Sequence, residues 1–255
     1  MDKYNEYGTK KVQEELLPML KDFHNFCVQN DVKYTLSDGT LLGAIRHNGF
    51  IPWDDDVDVV VDRANHDKLL AVIDKMEGYY KSRDLWVYRI RRVEDEGKEN
   101  PPTIDIFVAD NCPSNKFLRK FKLLNIMMLQ GMIKGKTDYK KQTFLFKVCS
   151  AITKFFGLFF TKKFKQKRYD KVSQWGNKKP SGYISCYGYS FAYLSKKYKK
   201  ETLEEFIIRD FETEKFFVTK LYDEMLTETY GDYMTPPAKM NRVAKHIKIE
   251  EEVNE

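Results

Sequence analysis

The stretch Tyr34–Asp62, YTLSDGTLLGAIRHNGFIPWDDDVDVVVD, sets the organisation of this chain. Val32, Tyr34 and Leu36 alternate with polar neighbours, which predicts a strand with one buried face. The chain then turns at Ser37-Asp38-Gly39, where Gly39, lacking a Cβ, is able to take a positive φ and let backbone N–H groups approach a ligand. Leu41, Leu42, Ala44 and Ile45 follow at helical spacing, with Thr40 placed to cap the helix start. A turn of this kind can seat an anion. Gly49 and Pro52 end the helix, and Trp53-Asp54-Asp55-Asp56 leads into the strand Val57-Asp58-Val59-Val60-Val61. In an extended segment Asp56 and Asp58 share one face, while Val57, Val59 and Val61 point into a core.

Two carboxylates set side by side raise each other's pKa unless a positive charge lies between them. For such a pair, a short loop after a phosphate-type turn, the economical partner is Mg²⁺ or Mn²⁺, which prefer carboxylate oxygens and bridge to substrate phosphates. An isolated Asp-x-Asp is more often a solvated strand entry. Here flanking valines would fix both side chains, and a third acid appears in Thr103-Ile104-Asp105-Ile106-Phe107-Val108. That strand is so apolar that its central Asp105 needs a partner. Asp56, Asp58 and Asp105 are therefore the expected metal triad. The strand expected over Trp86–Val93 and the turn EDEGKENPP would bring Asp105 beside the other two as a hairpin. The basic residues Arg89, Arg91 and Arg92 on that strand could face an anionic substrate, but a solvated sheet face is the expected role.

The segment Leu36–Val59 resembles the signature of the LicD family, bacterial phosphocholine-type transferases related to fukutin and fukutin-related protein, within the nucleotidyltransferase-fold superfamily. The superfamily's turn, paired aspartates and third acidic strand correspond to Gly39-Thr40, Asp56/Asp58 and Asp105. Tyr230-Gly231-Asp232-Tyr233-Met234, Pro236-Pro237, Arg242 and His246 are similar to the family's closing motif, and Phe211-Glu212 to its upstream Phe-Glu. The sequence departs from the pattern at Asp38, where a small residue is usual, at Asn48, where a basic one is common, and in a longer gap before Asp56.

The resemblance implies an α/β (α+β) fold with a nucleotidyltransferase-like mixed sheet, flanking helices, a basic helical insertion and a helical C-terminal part. It further implies transfer of a phospho-alcohol group, phosphocholine first, from a CDP-linked donor to a hydroxyl of a cell-surface glycan or teichoic acid precursor, releasing CMP. Asp56 and Asp58 would hold Mg²⁺ or Mn²⁺ on the donor diphosphate, and Asp105 would complete the site as a candidate general base. Gly39 and Thr40 would present N–H groups to the phosphates, while Arg46, His47, Arg242 and His246 would add cationic or hydrogen-bond contacts. Two other classes stay open: a nucleotidyltransferase that releases pyrophosphate, and a non-catalytic adaptor that keeps the fold.

Around this stretch, 255 residues suffice for one large domain or one with a substantial extension. The N-terminal MDKYNEYG is polar and carries no signal-sequence pattern. Cys27, Cys112, Cys149 and Cys186 show no metal spacing and read as free thiols of a cytoplasmic protein. Residues 10–29 predict a packing helix, with Pro18 kinking or splitting it. Three segments are expected: a catalytic core over 1–115, a basic amphipathic segment over 116–170, and a C-terminal part over 171–255 that completes the site. Within the last, helices are expected over Leu203–Ile208 and Val218–Tyr230.

The middle segment is set apart by charge. Residues 116–168 hold 15 Lys/Arg and the single acid Asp138, a net of +14, whereas the whole chain is +6. Phenylalanines and aliphatics alternate with this charge, and lysines interrupt every apolar run before it could span a bilayer. An amphipathic helix pair packed on the core would look like this. So would helices lying on an anionic membrane surface, which is the expectation adopted, with a station at the inner face of the plasma membrane. No nucleic-acid-binding motif accompanies the basic charge. Tyr183, Tyr187, Tyr189 and Tyr193 read mainly as aromatic packing, with a cation–π box for choline as the alternative.

Overall fold

The structure, a computed structural model, describes residues 7–134, 143–191 and 193–244. In chain order it contains α1 (Lys10–Gln29), β1 (Thr35–Leu36), α2 (Asp38–Arg46), β2 (Val57–Asp62), α3 (Arg63–Val72), β3 (Tyr79–Ser82), β4 (Tyr88–Arg92) and β5 (Ile104–Asn111). Then come α4 (Lys116–Ile133), α5 (Phe144–Gly157), α6 (Lys162–Ser173), β6 (Tyr183–Cys186), β7 (Tyr198–Lys199), β8 (Phe206–Phe211), β9 (Glu214–Thr219) and α7 (Tyr222–Tyr230). The α+β class follows the sequence expectation. The chain forms two compact units: one comprises 1–82, 89–108 and 201–255, the other 83–88 and 109–200.

The first unit carries strands in the order β1-β2-β5-β4-β3, so β5 lies between β2 and β4 and brings Asp105 next to the strand of Asp58. Val57, Val59 and Val61 are fully buried as expected. Val60 is buried too, because β2 is covered on both faces beyond Asp58. The same holds for β1, where Thr35 is as buried as Tyr34 and Leu36. Its Oγ1 accepts a hydrogen bond from the backbone N–H of Thr219 in β9 (2.8 Å). Pro18 lies inside an unbroken α1, whose Leu16, Met19, Leu20, Phe23 and Cys27 form the buried stripe. Asp62 caps α3 by accepting from the Asn65 N–H at 2.7 Å.

The helix expected over 203–208 is instead a strand. Phe206, Ile207 and Ile208 pair antiparallel with Thr219, Val218 and Phe217. β-branched and aromatic side chains favour the pleated form, and the two-residue turn Glu212-Thr213, with Glu212 at φ 54°, closes the hairpin. The C-terminal part is thus a hairpin followed by α7, not helical throughout. β4 likewise begins at Tyr88, since Arg83 and Trp86 are engaged inside the second unit: Arg83 by Asp170 (2.6 and 2.8 Å), and Trp86 Nε1 by the Gly188 carbonyl (2.8 Å).

The second unit packs Ile126, Leu129 and Ile133 of α4 against Tyr169 and Val172 of α6 and against Tyr187 and Leu194. The wholly buried Lys122 donates to the carbonyls of Asn111 and Trp175 (2.9 Å each) and sits 4.0 Å from the Tyr187 ring centre. That lysine covers the face of Tyr187, and Tyr189 is also buried, so the four tyrosines do not form an open choline box. All four cysteines are free.

Glu212 was read only as part of a motif, yet it fixes the loop after α2. Its N–H donates to the Asn48 carbonyl (2.8 Å), and its Oε1 accepts from the Phe50 N–H (2.9 Å). A Cβ on Gly49 would stand 2.1 Å from that Oε1, so a side chain there would displace the Glu212 carboxylate. Glu212→Ala is expected to lower stability by about 1–3 kcal/mol through the unpaired Phe50 N–H, with Glu212→Gln retaining most of it. Urea unfolding of the three proteins checks this.

Candidate functional site

Helix α2 begins one turn earlier than its apolar pattern suggested. Ser37 is the N-cap position and Asp38 the first helical residue, and it is Asp38, not Gly39, that takes the positive φ (47°). Gly39 is needed for a steric reason: a Cβ there would lie 2.3 Å from Oδ2 of Asp54. Thr40 does not cap the helix. Its Oγ1 accepts the backbone N–H of Asp58 at 2.9 Å, and the Ser37 N–H donates to the Asp58 carbonyl at 3.0 Å. These two bonds fasten the start of α2 to the residue at the centre of the acidic group. The Ser37 side chain is fully buried, and its hydroxyl has no partner among the described residues.

Asp58 is the focus of that group. Burial drives its carboxyl well above the usual range, and Asp56, Asp38, Asp105 and Asp54 push it further in the same direction. The sequence reading had Asp56, Asp58 and Asp105; the structure adds Asp38 and Asp54 to their company. Asp54 is held from outside. Its N–H bonds to the Ile51 carbonyl (2.9 Å), and Gln13 of α1 donates to the carbonyls of Ile51 (3.0 Å) and Asp54 (2.8 Å). Among the described residues no three of these acids stand in a formed metal-ligand shell. The donor set is nonetheless all carboxylate oxygen, the kind a hard divalent cation takes.

Asp105 has its partner in Arg89, which grips it with two bonds of 2.9 and 3.2 Å. Arg89 and Arg91, two residues apart on one face of β4, line a cavity of about 70 Å³ with Asp55, Asp56, Asn100, Pro101, Thr103 and Asp105. Both arginines therefore face the acids and not a solvated sheet surface. The signal was present in the sequence, as alternate arginines about a buried Ile90 on the strand neighbouring Asp105. Arg92 is the one that turns away, donating to the Glu15 carbonyl (2.9 Å) and lying 3.4 Å from Glu94.

A cationic cluster adjoins this site through the loop Ile51–Asp56. Arg46 donates to the Tyr233 carbonyl (2.5 Å) and lies 3.5 Å from Nδ1 of His47. His47 packs edge-on to Trp53, with ring centres 6.3 Å apart, and Arg242 stacks over the Trp53 ring at 5.1 Å. Burial, Arg46 and Arg242 push the His47 pKa down to about 4, so it offers a neutral imidazole at pH 7, not a cation. Arg46, His47 and Arg242 are thus brought together, whereas His246 lies outside the described residues.

Three comparisons bear on this arrangement. The nucleotidyltransferase domain described as LicD/FKTN/FKRP matches residues 31–149. The lipopolysaccharide cholinephosphotransferase LicD of Haemophilus influenzae is 28% identical over 91% of this chain and 93% of its own length. Uncharacterised proteins of Rickettsia prowazekii (33% identical) and Rickettsia typhi (30%) align with 49% and 46% of this chain, each over 42% of its own length.

The low pKa of His47 has a signed consequence. The unfolded chain takes up a proton near pH 6.5 and the folded chain only near 4, so this residue's contribution is complete above 6.5 and lost as pH falls from 6.5 toward 4. His47→Gln should narrow the gap in melting temperature between pH 7 and pH 4.5 relative to the unaltered chain; equal gaps would refute the assignment.

Proposed function

Because residues 31–149 of this chain match the LicD/FKTN/FKRP nucleotidyltransferase domain, we propose that it transfers a phospho-alcohol group, phosphocholine first, from a CDP-linked donor to a hydroxyl of a cell-surface glycan, with CMP leaving. A lipopolysaccharide or teichoic acid precursor, lipid-linked and presented at the inner face of the plasma membrane, is the acceptor class in this reading. The observation that carries it is the convergence on Asp58 of four further carboxylates, with Arg89 and Arg91 at their edge.

Asp56, Asp58 and Asp105 are the residues that would hold Mg²⁺ or Mn²⁺. The ion, when bound, neutralises the donor diphosphate and stabilises the charge that develops as CMP departs. The protein's own groups do the rest. Arg89 and Arg91 line the cavity beside Asp56 and Asp105, where they would orient the transferred phosphate. Arg46 and Arg242 would receive the remainder of the diphosphate, with His47 as a neutral hydrogen-bonding group beside them. Thr40 and Ser37 position Asp58 through its backbone and leave its carboxylate available.

The test is incubation with CDP-choline, CDP-ethanolamine, CDP-glycerol or CDP-ribitol, an acceptor extract and Mn²⁺. Metal-dependent CMP release is expected, reduced at least ~100-fold in Asp58→Asn, a loss of the size that disturbed metal sites cause. Pyrophosphate release from CTP or ATP would replace this reading with nucleotidyl transfer. An Asp58→Asn protein as active as the unaltered one would remove the carboxylate mechanism. Arg242→Ala should raise the donor KM about tenfold with little change in melting temperature, since among the described residues its side chain bonds to the neighbouring Pro237 carbonyl and lies over Trp53.

A further inference from the structure

Helix α4 has two apolar faces. One, with Ile126, Leu129 and Ile133, forms the core of the second unit. The other, Phe117, Phe121, Leu124 and Met128 at intervals of four, three and four, is exposed. Helix α5 buries nothing along its outward stripe: Phe144, Val148, Ile152 and Phe155 recur at helical spacing and all stand in solvent. Leu158, Phe159 and Phe160 follow at the α5–α6 corner with 81, 68 and 42% exposure, and Phe164 opens α6 at 53%. A soluble surface seldom leaves so continuous an apolar array uncovered.

The array is rigidly mounted. α4 and α5 approach closely where both have small residues: a Cβ on Gly131 would stand 2.5 Å from Thr153 Oγ1, and one on Gly157 2.9 Å from the Met132 carbonyl. Lys165 of α6 donates to the carbonyls of Met132 (3.0 Å) and Gly157 (3.1 Å), tying the helix ends together. No described helix is long and apolar enough to cross a membrane. The 14 residues of α5 would reach only about 21 Å, short of the roughly 30 Å hydrocarbon core.

Charge selects the partner. Lys116, Lys120, Lys147, Lys162, Lys163, Lys167 and Arg168 are exposed along the same helices, and no acidic residue of 116–168 lies among the described ones. A second copy would oppose like charge to like charge, whereas an anionic bilayer offers both an apolar interior and a negative surface. We propose that the outward faces of α4 and α5, with the Leu158-Phe159-Phe160 corner, insert into the interface of an anionic lipid membrane, flanked by the lysines of α6. This docking does not depend on which group the enzyme transfers.

The experiment is sedimentation of the full chain with vesicles of phosphatidylcholine alone and of phosphatidylcholine with 30% phosphatidylglycerol. Binding to the anionic vesicles is expected, falling with salt. Phe155→Glu/Phe159→Glu should weaken it at least tenfold, and Lys162→Glu/Lys163→Glu at least ~25-fold, at about fivefold for each cation removed. These side chains are exposed, so unchanged melting temperatures verify the fold. Failure of the chain to bind anionic vesicles, or equal binding by the Phe→Glu variant, would overturn the proposal. So would a solution dimer dissolved by the same Phe→Glu pair in a chain that ignores lipid.

Discussion

The structure depends on holding one carboxylate where electrostatics opposes it. Asp58 is half-buried at the start of β2 beside Asp56, Asp38, Asp105 and Asp54, each of which raises the cost of its charge. Fully buried valines on either side anchor the strand, and two backbone bonds at Asp58 itself, to Ser37 and to Thr40 Oγ1, clamp it to the first turn of α2. Like charges gathered in this way are a liability to the folded state, the kind of strain that is retained at functional sites.

The surrounding parts supply the restraint. α1 reaches across through Gln13 to fix the loop that carries Asp54, and Glu212 at the tip of the C-terminal hairpin fixes the loop after α2. Arg89 neutralises Asp105 from the neighbouring strand. Acids on one side of the loop over 51–56 and the cations Arg46 and Arg242 on the other give the site two regions of opposite charge.

Much of this was legible in the sequence because it is local. The Asp-x-Asp alternation and the buried valines read directly from a period of two, and Asp105 declared itself as an acid in an apolar strand. What escaped depended on distant partners. The role of Gly39 is set by Asp54, fifteen residues on, and that of Glu212 by a loop some 160 residues earlier. Arg89 and Arg91 read as solvated because alternation along β4 does not say which of its faces the acids share. The β8–β9 hairpin was misread because a short apolar run such as Phe206–Ile208 does not distinguish strand from helix without its partner. The tyrosines lost their candidate role for the same reason, since only the fold places Lys122 over Tyr187.

The claim on which the account turns is that the acids around Asp58 exist to bind a divalent cation. Calorimetric titration of Mn²⁺ into the full chain, in the presence of CDP, tests it most directly. The account predicts saturable binding that is abolished in both Asp56→Asn and Asp58→Asn while their unfolding transitions persist. Undiminished binding in those two variants, or none in the unaltered chain, would contradict it.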